Sequence, residues 1–156
     1  FMFNQKETTL LQDLKHAEQL CTEKYQQYAQ KAAAPNLQQL FHSIGQQEQQ
    51  HLQTLDQMLT SGAPVGSGPS ASGSGSMATG GQTAGCYQGQ DQAYQNDAFL
   101  CNDALAMEKH VSADYNTSIF EFRDQTVRDT LNHIQKEEQT HGKMIYDFMA
   151  ANGMYN

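Results

Sequence analysis

The feature that most constrains this chain is an internal repeat at a spacing of 90 residues. Glu18, Tyr25, Glu48 and His51 recur as Glu108, Tyr115, Glu138 and His141. The apolar positions between them repeat as well, with Ile44 falling on Ile134 and Leu55 on Ile145. A single Glu three residues before a His arises easily by chance. Two such pairs, each 30 residues after a Glu that is followed by Tyr at +7, fit coincidence poorly. The repeat predicts a duplicated helical hairpin.

The hydrophobic pattern says how the repeat folds. Val127, Leu131, Ile134, Ile145 and Phe148 step by three and four, which lines one face of a helix. Glu138 and His141 fall on that same face, about one turn apart. Inside an apolar seam each suffers a desolvation penalty unless something pairs with it, and a metal ion is the natural partner. The first helix is expected from Glu7 to Ala33, with Leu10, Leu14, Ala17, Cys21, Tyr28 and Ala32 beside Glu18 and Tyr25. Ala34-Pro35 breaks it, and Pro35 opens a second helix to Thr60 with Leu37, Phe41, Ile44, Leu55 and Met58 as its seam. A third helix is expected from a cap at Asn96 or Asp97, carrying Cys101, Ala104, Glu108, Val111, Tyr115, Ser118 and Phe122. Asp124 caps the fourth, which stops near Asn152-Gly153.

Spacing then sets the height of the polar residues. Glu18 and Glu48 each lie 15 residues from Ala33, and Glu108 and Glu138 each lie 15 residues from Arg123. In antiparallel hairpins turning at those points, the four glutamates and two histidines meet halfway along helices about 39 Å long. Between the hairpins, Ser61 to Gly85 is rich in Gly, Ser and small residues and reads as a flexible linker. Cys86 to Gln95 reads as polar and irregular, with one helical turn at most. A connection of that length suits parallel second and third helices; an up-down-up-down bundle needs only a short loop, and two separate hairpins would bury little. The expectation is an all-α, antiparallel four-helix bundle with a long crossover between helices 2 and 3. It forms one domain over 1–156, with hairpin 7–60, crossover 61–95 and hairpin 96–152.

Composition excludes several functions. A net charge of −8 argues against a nucleic-acid partner and against an anionic membrane surface. No apolar run approaches the roughly 20 residues of a membrane span, and no signal-peptide core is seen at the N-terminus. Cys21, Cys86 and Cys101 have no zinc-type spacing. Cys21 and Cys101 are expected as buried, reduced thiols, and Cys86 as the one available to cross-link a second chain.

Two resemblances follow from these residues. A lone Glu with Tyr at +7, then Glu-x-x-His, twice over, resembles the ferritin-like superfamily of rubrerythrins and bacterioferritins. From Leu100 to Tyr155 the chain resembles the spore coat protein F (CotF) family, through LCNDALAMEKH, YNTSIFEF, LNHIQKEEQTHGKMIYDFM and NGMY. The first likeness implies a dinuclear metal site. The second implies a spore-forming bacterium, residence in the spore coat after synthesis in the cytoplasm, and other coat proteins as partners; a homodimer is a further possibility.

By position, Glu48 and Glu138 would bridge two metals, Glu18 and Glu108 would each bind one terminally, and His51 and His141 would complete one shell each. This donor set suits iron or manganese, with zinc able to occupy it. Tyr25 and Tyr115 either hydrogen-bond a ligand carboxylate across the bundle or are ordinary core tyrosines. Glu137 reads as a solvated neighbour because its counterpart is Gln47, and His16, His42, His110 and His133, unmatched in the repeat, as surface or outer residues. A bundle whose buried Glu and His pair without metal is the bland alternative, costly with four acids among six groups. Three functions fit: a coat protein with a metal-binding bundle, a di-iron or di-manganese oxidoreductase reducing O2 or peroxide, and ferritin-like iron oxidation or storage. The last would need a closed cage, for which the sequence shows no contacts. No CxxC pair serves as a built-in electron donor, so a peroxidase cycle would need an outside reductant.

Overall fold

The computed structural model describes residues 2–63 and 87–155. Within them the chain forms four helices: α1 Gln5–Lys31, α2 Pro35–Ser61, α3 Gln92–Ile119 and α4 Gln125–Ala151. Each is 27 or 28 residues, about 40 Å, so all four span one height. Local chemistry fixes their ends. Asn4 accepts from Glu7 N while Glu7 accepts from Asn4 N, a reciprocal capping box that starts α1 two residues before the expected Glu7. Pro35 opens α2, and Gly62, at φ 66°, ends it in the left-handed region that a side chain resists. Asp124 caps α4 through Val127 N at 3.0 Å.

The third helix departs from expectation. Asp91, not Asn96 or Asp97, is its cap, accepting from Tyr94 N at 3.0 Å, so part of the supposed irregular stretch 86–95 is helix. Asp97 is buried on that helix, and its carboxylate serves another element. Ala33 N donates to it at 2.7 Å, Ala34 N at 2.9 Å and the Tyr87 hydroxyl at 2.6 Å. The opposite end mirrors this. Glu7 accepts from Arg123 N at 3.1 Å while the Arg123 guanidinium pairs with it at 3.0 Å. Glu7 and Asp97 are 90 residues apart, as are the turn residues Ala33 and Arg123. Each acid therefore staples the turn of the other hairpin.

These contacts give the topology. Along α1 and α3, Glu7 meets Arg123, just past the end of α3; Glu18 meets Tyr115 and Tyr25 meets Glu108, so the two helices run antiparallel. Along α2 and α4, Gln47 meets His141 and His51 meets Glu137, again antiparallel. With short turns inside each hairpin, α2 and α3 are left parallel, and residues 63 and 87 lie at opposite ends of the bundle. Of the expected crossover, residues 64–86, Cys86 among them, lie outside the described residues.

The core is apolar at both ends and polar in the middle. One cluster gathers Tyr28, Leu37, Phe41, Leu100, Ile145 and Met149 at the α1–α2 turn end. The other gathers Phe3, Leu11, Leu14, Met58, Val127 and Leu131 at the far end. Leu11 rather than Leu10 is the fully buried leucine of the first turns. A buried Leu or Ile contributes about 1.5–3 kcal/mol, so these two caps hold the helices together around whatever lies between. At mid-height Gly45 lets α1 approach closely, for a Cβ there would stand 3.1 Å from Tyr25 Cβ. Cys21 and Cys101 are free, buried thiols, both pushed up by burial, Cys101 to about 12. They are inert packing groups.

Candidate metal centre

The middle of the bundle holds the six repeated acids and imidazoles. Glu18, Glu48, His51, Glu108, Glu138 and His141 are each at most 4% exposed. They fall into two groups, Glu18–Glu48–His51–Glu138 and Glu48–Glu108–Glu138–His141, each offering ligand atoms within 4.8 Å of one another. Glu48 and Glu138 belong to both. Each group takes two acids and its imidazole from one hairpin and its third acid from the other, so neither hairpin alone completes one.

Both imidazoles turn Nδ1 inward. His51 Nδ1 lies 3.1 Å from Glu138 Oε1, 3.4 Å from Glu48 Oε2 and 3.8 Å from Glu18 Oε1. His141 Nδ1 lies 2.8 Å from Glu48 Oε1, and 3.5 Å from Glu108 Oε1 and from Glu138 Oε2. The rings stack with centroids 5.9 Å apart. Each outer nitrogen has its own partner: His51 Nε2 meets Glu137 Oε2 at 3.1 Å, and His141 Nε2 meets Gln47 Oε1 at 2.5 Å. With Nε2–H donating outward, Nδ1 faces the acids and could give its lone pair to a cation in place of a proton. Glu137 is thus no solvated neighbour. Gln47 and Glu137 do the same job with different charge, a correspondence that residue identity across the repeat does not mark.

The tyrosines cross the bundle. The Tyr25 hydroxyl donates to Glu108, and the Tyr115 hydroxyl donates to Glu18 Oε1 at 2.6 Å. Burial and the facing carboxylate push both phenols well above their usual range, so they remain donors at neutral pH. Of the unmatched histidines, His133 reaches the free oxygen of Glu137, whereas His16, His42 and His110 are exposed away from the site.

Electrostatics shows what the cluster lacks. Burial, then the facing Glu48, drives Glu18 well above the carboxylate range. Burial and Glu138 push Glu108 up to about 7. Glu48 is held at about 2 although burial opposes it, through hydrogen bonds with Glu18, His141 and His51. Glu138 is likewise lowered against burial, by Glu108 and both histidines. Against burial, Glu137, Glu138 and Glu48 raise His51, and Glu108, Glu138 and Glu48 raise His141, well above 6.5. Without a cation, then, protons must keep these acids together. Glu18 Oε2, Glu108 Oε2 and Glu138 Oε2 are nevertheless buried with no hydrogen-bond donor. An orphaned buried carboxylate oxygen is costly, and a cation satisfies it directly. Two divalent cations would balance four carboxylates, and hard oxygen with imidazole donors suits first-row metals. The residues present fit such ions.

Residues 96–156 match the family model of the Coat F domain. No curated protein and no solved structure gives a significant match to the chain. The matched segment contains α4 and most of α3, and with them Glu108, Tyr115, Glu138 and His141. Among the described residues no helix is long and apolar enough to cross a membrane.

Proposed function

We infer that this protein is a spore coat component built on a ferritin-like bundle that holds a dinuclear metal centre of iron or manganese. The observation that carries the metal reading is the sharing of Glu48 and Glu138 between two buried four-residue groups, each with one further Glu and one inward-facing imidazole nitrogen. The Coat F match supports the coat assignment and other coat proteins as partners. Glu48 and Glu138 would serve both metals, Glu18 and Glu108 one each, and His51 and His141 one each. Tyr25 and Tyr115 hold the terminal acids in place from the opposite hairpin, while the apolar caps above and below exclude bulk water.

The test is metal analysis of the full chain, stripped and then reconstituted with ferrous iron or manganese(II). About two metals per chain are expected in the wild type and fewer than one in Glu138→Ala. A wild type that retains no metal overturns the reading.

A second reading, reduction of O2 or peroxide, is favoured by the ligand count. Four residues per group leave open positions on a metal that takes five or six ligands, and such a metal would supply the redox chemistry. Absorbance of the same iron-loaded sample after adding O2 or peroxide separates the two: turnover lost in Glu138→Ala supports an oxidoreductase, and an inert metal supports a structural centre.

A further inference from the structure

The twofold repeat changes residue type at a place that touches both site histidines. Glu137 stands where the first half has Gln47, and His133 where it has Ser43. Glu137 and Gln47 both accept from the outer nitrogen of a site histidine. One acceptor is a carboxylate and the other a neutral amide. The remaining oxygen of Glu137 is gripped by His133 Nε2, so the carboxylate is held from both sides. Among the described residues, the Ser43 hydroxyl makes no hydrogen bond to Gln47, so that amide has no second hold of this kind.

This difference bears directly on ligand strength. A carboxylate on the distal N–H of an imidazole makes the inner nitrogen a better donor and fixes the ring's tautomer. A neutral amide fixes the tautomer without adding charge. The anion also attracts the cation itself, and with only 29% of its side chain exposed, Glu137 is partly shielded from solvent screening.

Resting on the dinuclear reading above, we propose that the two metal positions are inequivalent. The position formed by Glu18, Glu48, His51 and Glu138 is the tighter and fills first, and Glu137 is the positioning residue that makes it so. The position of His141, backed by Gln47, fills second. Outer partners of this kind change metal affinity about 10–100-fold, which sets the size of the expected gap.

The full chain, stripped of metal, is titrated with manganese(II) by calorimetry against a competing chelator. Two uptake steps are expected, about 10–100-fold apart. Steps alone do not prove the point, because two cations sharing carboxylates repel each other. Glu137→Gln, nearly isosteric and partly exposed, should weaken the first step about 10–100-fold and leave the second in place, so the gap closes. Gln47→Glu should strengthen the second step by a similar factor. Circular dichroism checks that both variants fold.

A gap unchanged in Glu137→Gln, or both steps weakened equally, overturns the proposal while leaving the dinuclear reading intact. Uptake of two metals in one unresolved step does the same. Uptake of a single metal per chain overturns the dinuclear reading and with it the inequivalence that rests on it. A wild type that takes up no metal ends both.

Discussion

Glu7 and Glu18 sit about three turns apart on α1, both fully buried, and their protons are driven in opposite directions. Glu18 faces another carboxylate in a sealed interior and is pushed up. Glu7 faces the Arg123 guanidinium, which holds it down to about 2 against its ordinary 4.5. A group depressed in the folded state stabilises the fold at any pH above its unfolded value, and that contribution fades as pH falls toward the folded one. Arg123 is open to solvent, so the full shift overstates the benefit, and about 1–2 kcal/mol is a fair discounted figure. Glu7→Gln should therefore be less stable than wild type by that amount at pH 7 in urea unfolding. The gap should narrow below about pH 4.5 and be nearly gone at pH 2, where wild-type Glu7 is itself about half protonated. A gap independent of pH would place the effect in packing rather than charge. At this scale the six site residues were legible because the repeat preserves them letter for letter. Glu137 was not, because its function survives a change of letter: an amide oxygen and a carboxylate oxygen both accept from imidazole.

At the scale of elements, periodicity located all four helices, and the errors fall at their ends. Asp97 followed by apolar steps looks like an N-cap, yet Asp91 takes that role and Asp97 lies one and a half turns inside α3. An acid belongs there because the α1–α2 turn presents Ala33 N and Ala34 N to α3, and buried N–H groups need an acceptor. The 90-residue spacing that relates the six central acids and imidazoles also relates Glu7 to Asp97, so the staples belong to the same repeat. Asp97→Ala leaves the two N–H groups and the Tyr87 hydroxyl without this acceptor, at about 1–3 kcal/mol for each group that stays dry. A loss of about 2–4 kcal/mol is expected, seen as a lower urea midpoint with an unchanged slope. Asp97→Asn, which keeps one acceptor oxygen, should lose less. Equal losses from the two variants would show that charge, not the acceptor count, is what the turn requires.

For the molecule as a whole, the staples and the polar centre serve the same end: both join one hairpin to the other. Within a hairpin the helices pack along their length, whereas across the pair the named polar ties sit at the two turns and at the waist. The waist is the weak one without metal, since it crowds four acids against two imidazoles and leaves three buried oxygens without a hydrogen bond. An ion that binds the folded bundle and not the unfolded chain stabilises it by RT ln(1 + [L]/Kd), about 2.7 kcal/mol at a hundredfold excess over Kd. For a chain of this length that is a rise in Tm of about 5–10 °C. Calorimetric melting with and without manganese(II) measures it directly. The double variant Glu18→Gln, Glu108→Gln supplies the control, because the amide mimics a protonated acid in shape and neutrality. Its metal-free Tm should stay within about 2 °C of wild type, given that burial already favours the neutral form of both acids. Its gain from manganese(II) should vanish with the terminal ligands. A variant that keeps the full gain would mean the ion sits elsewhere on the protein. One that fails to fold without metal would mean that the waist holds the bundle together through its protons and hydrogen bonds alone.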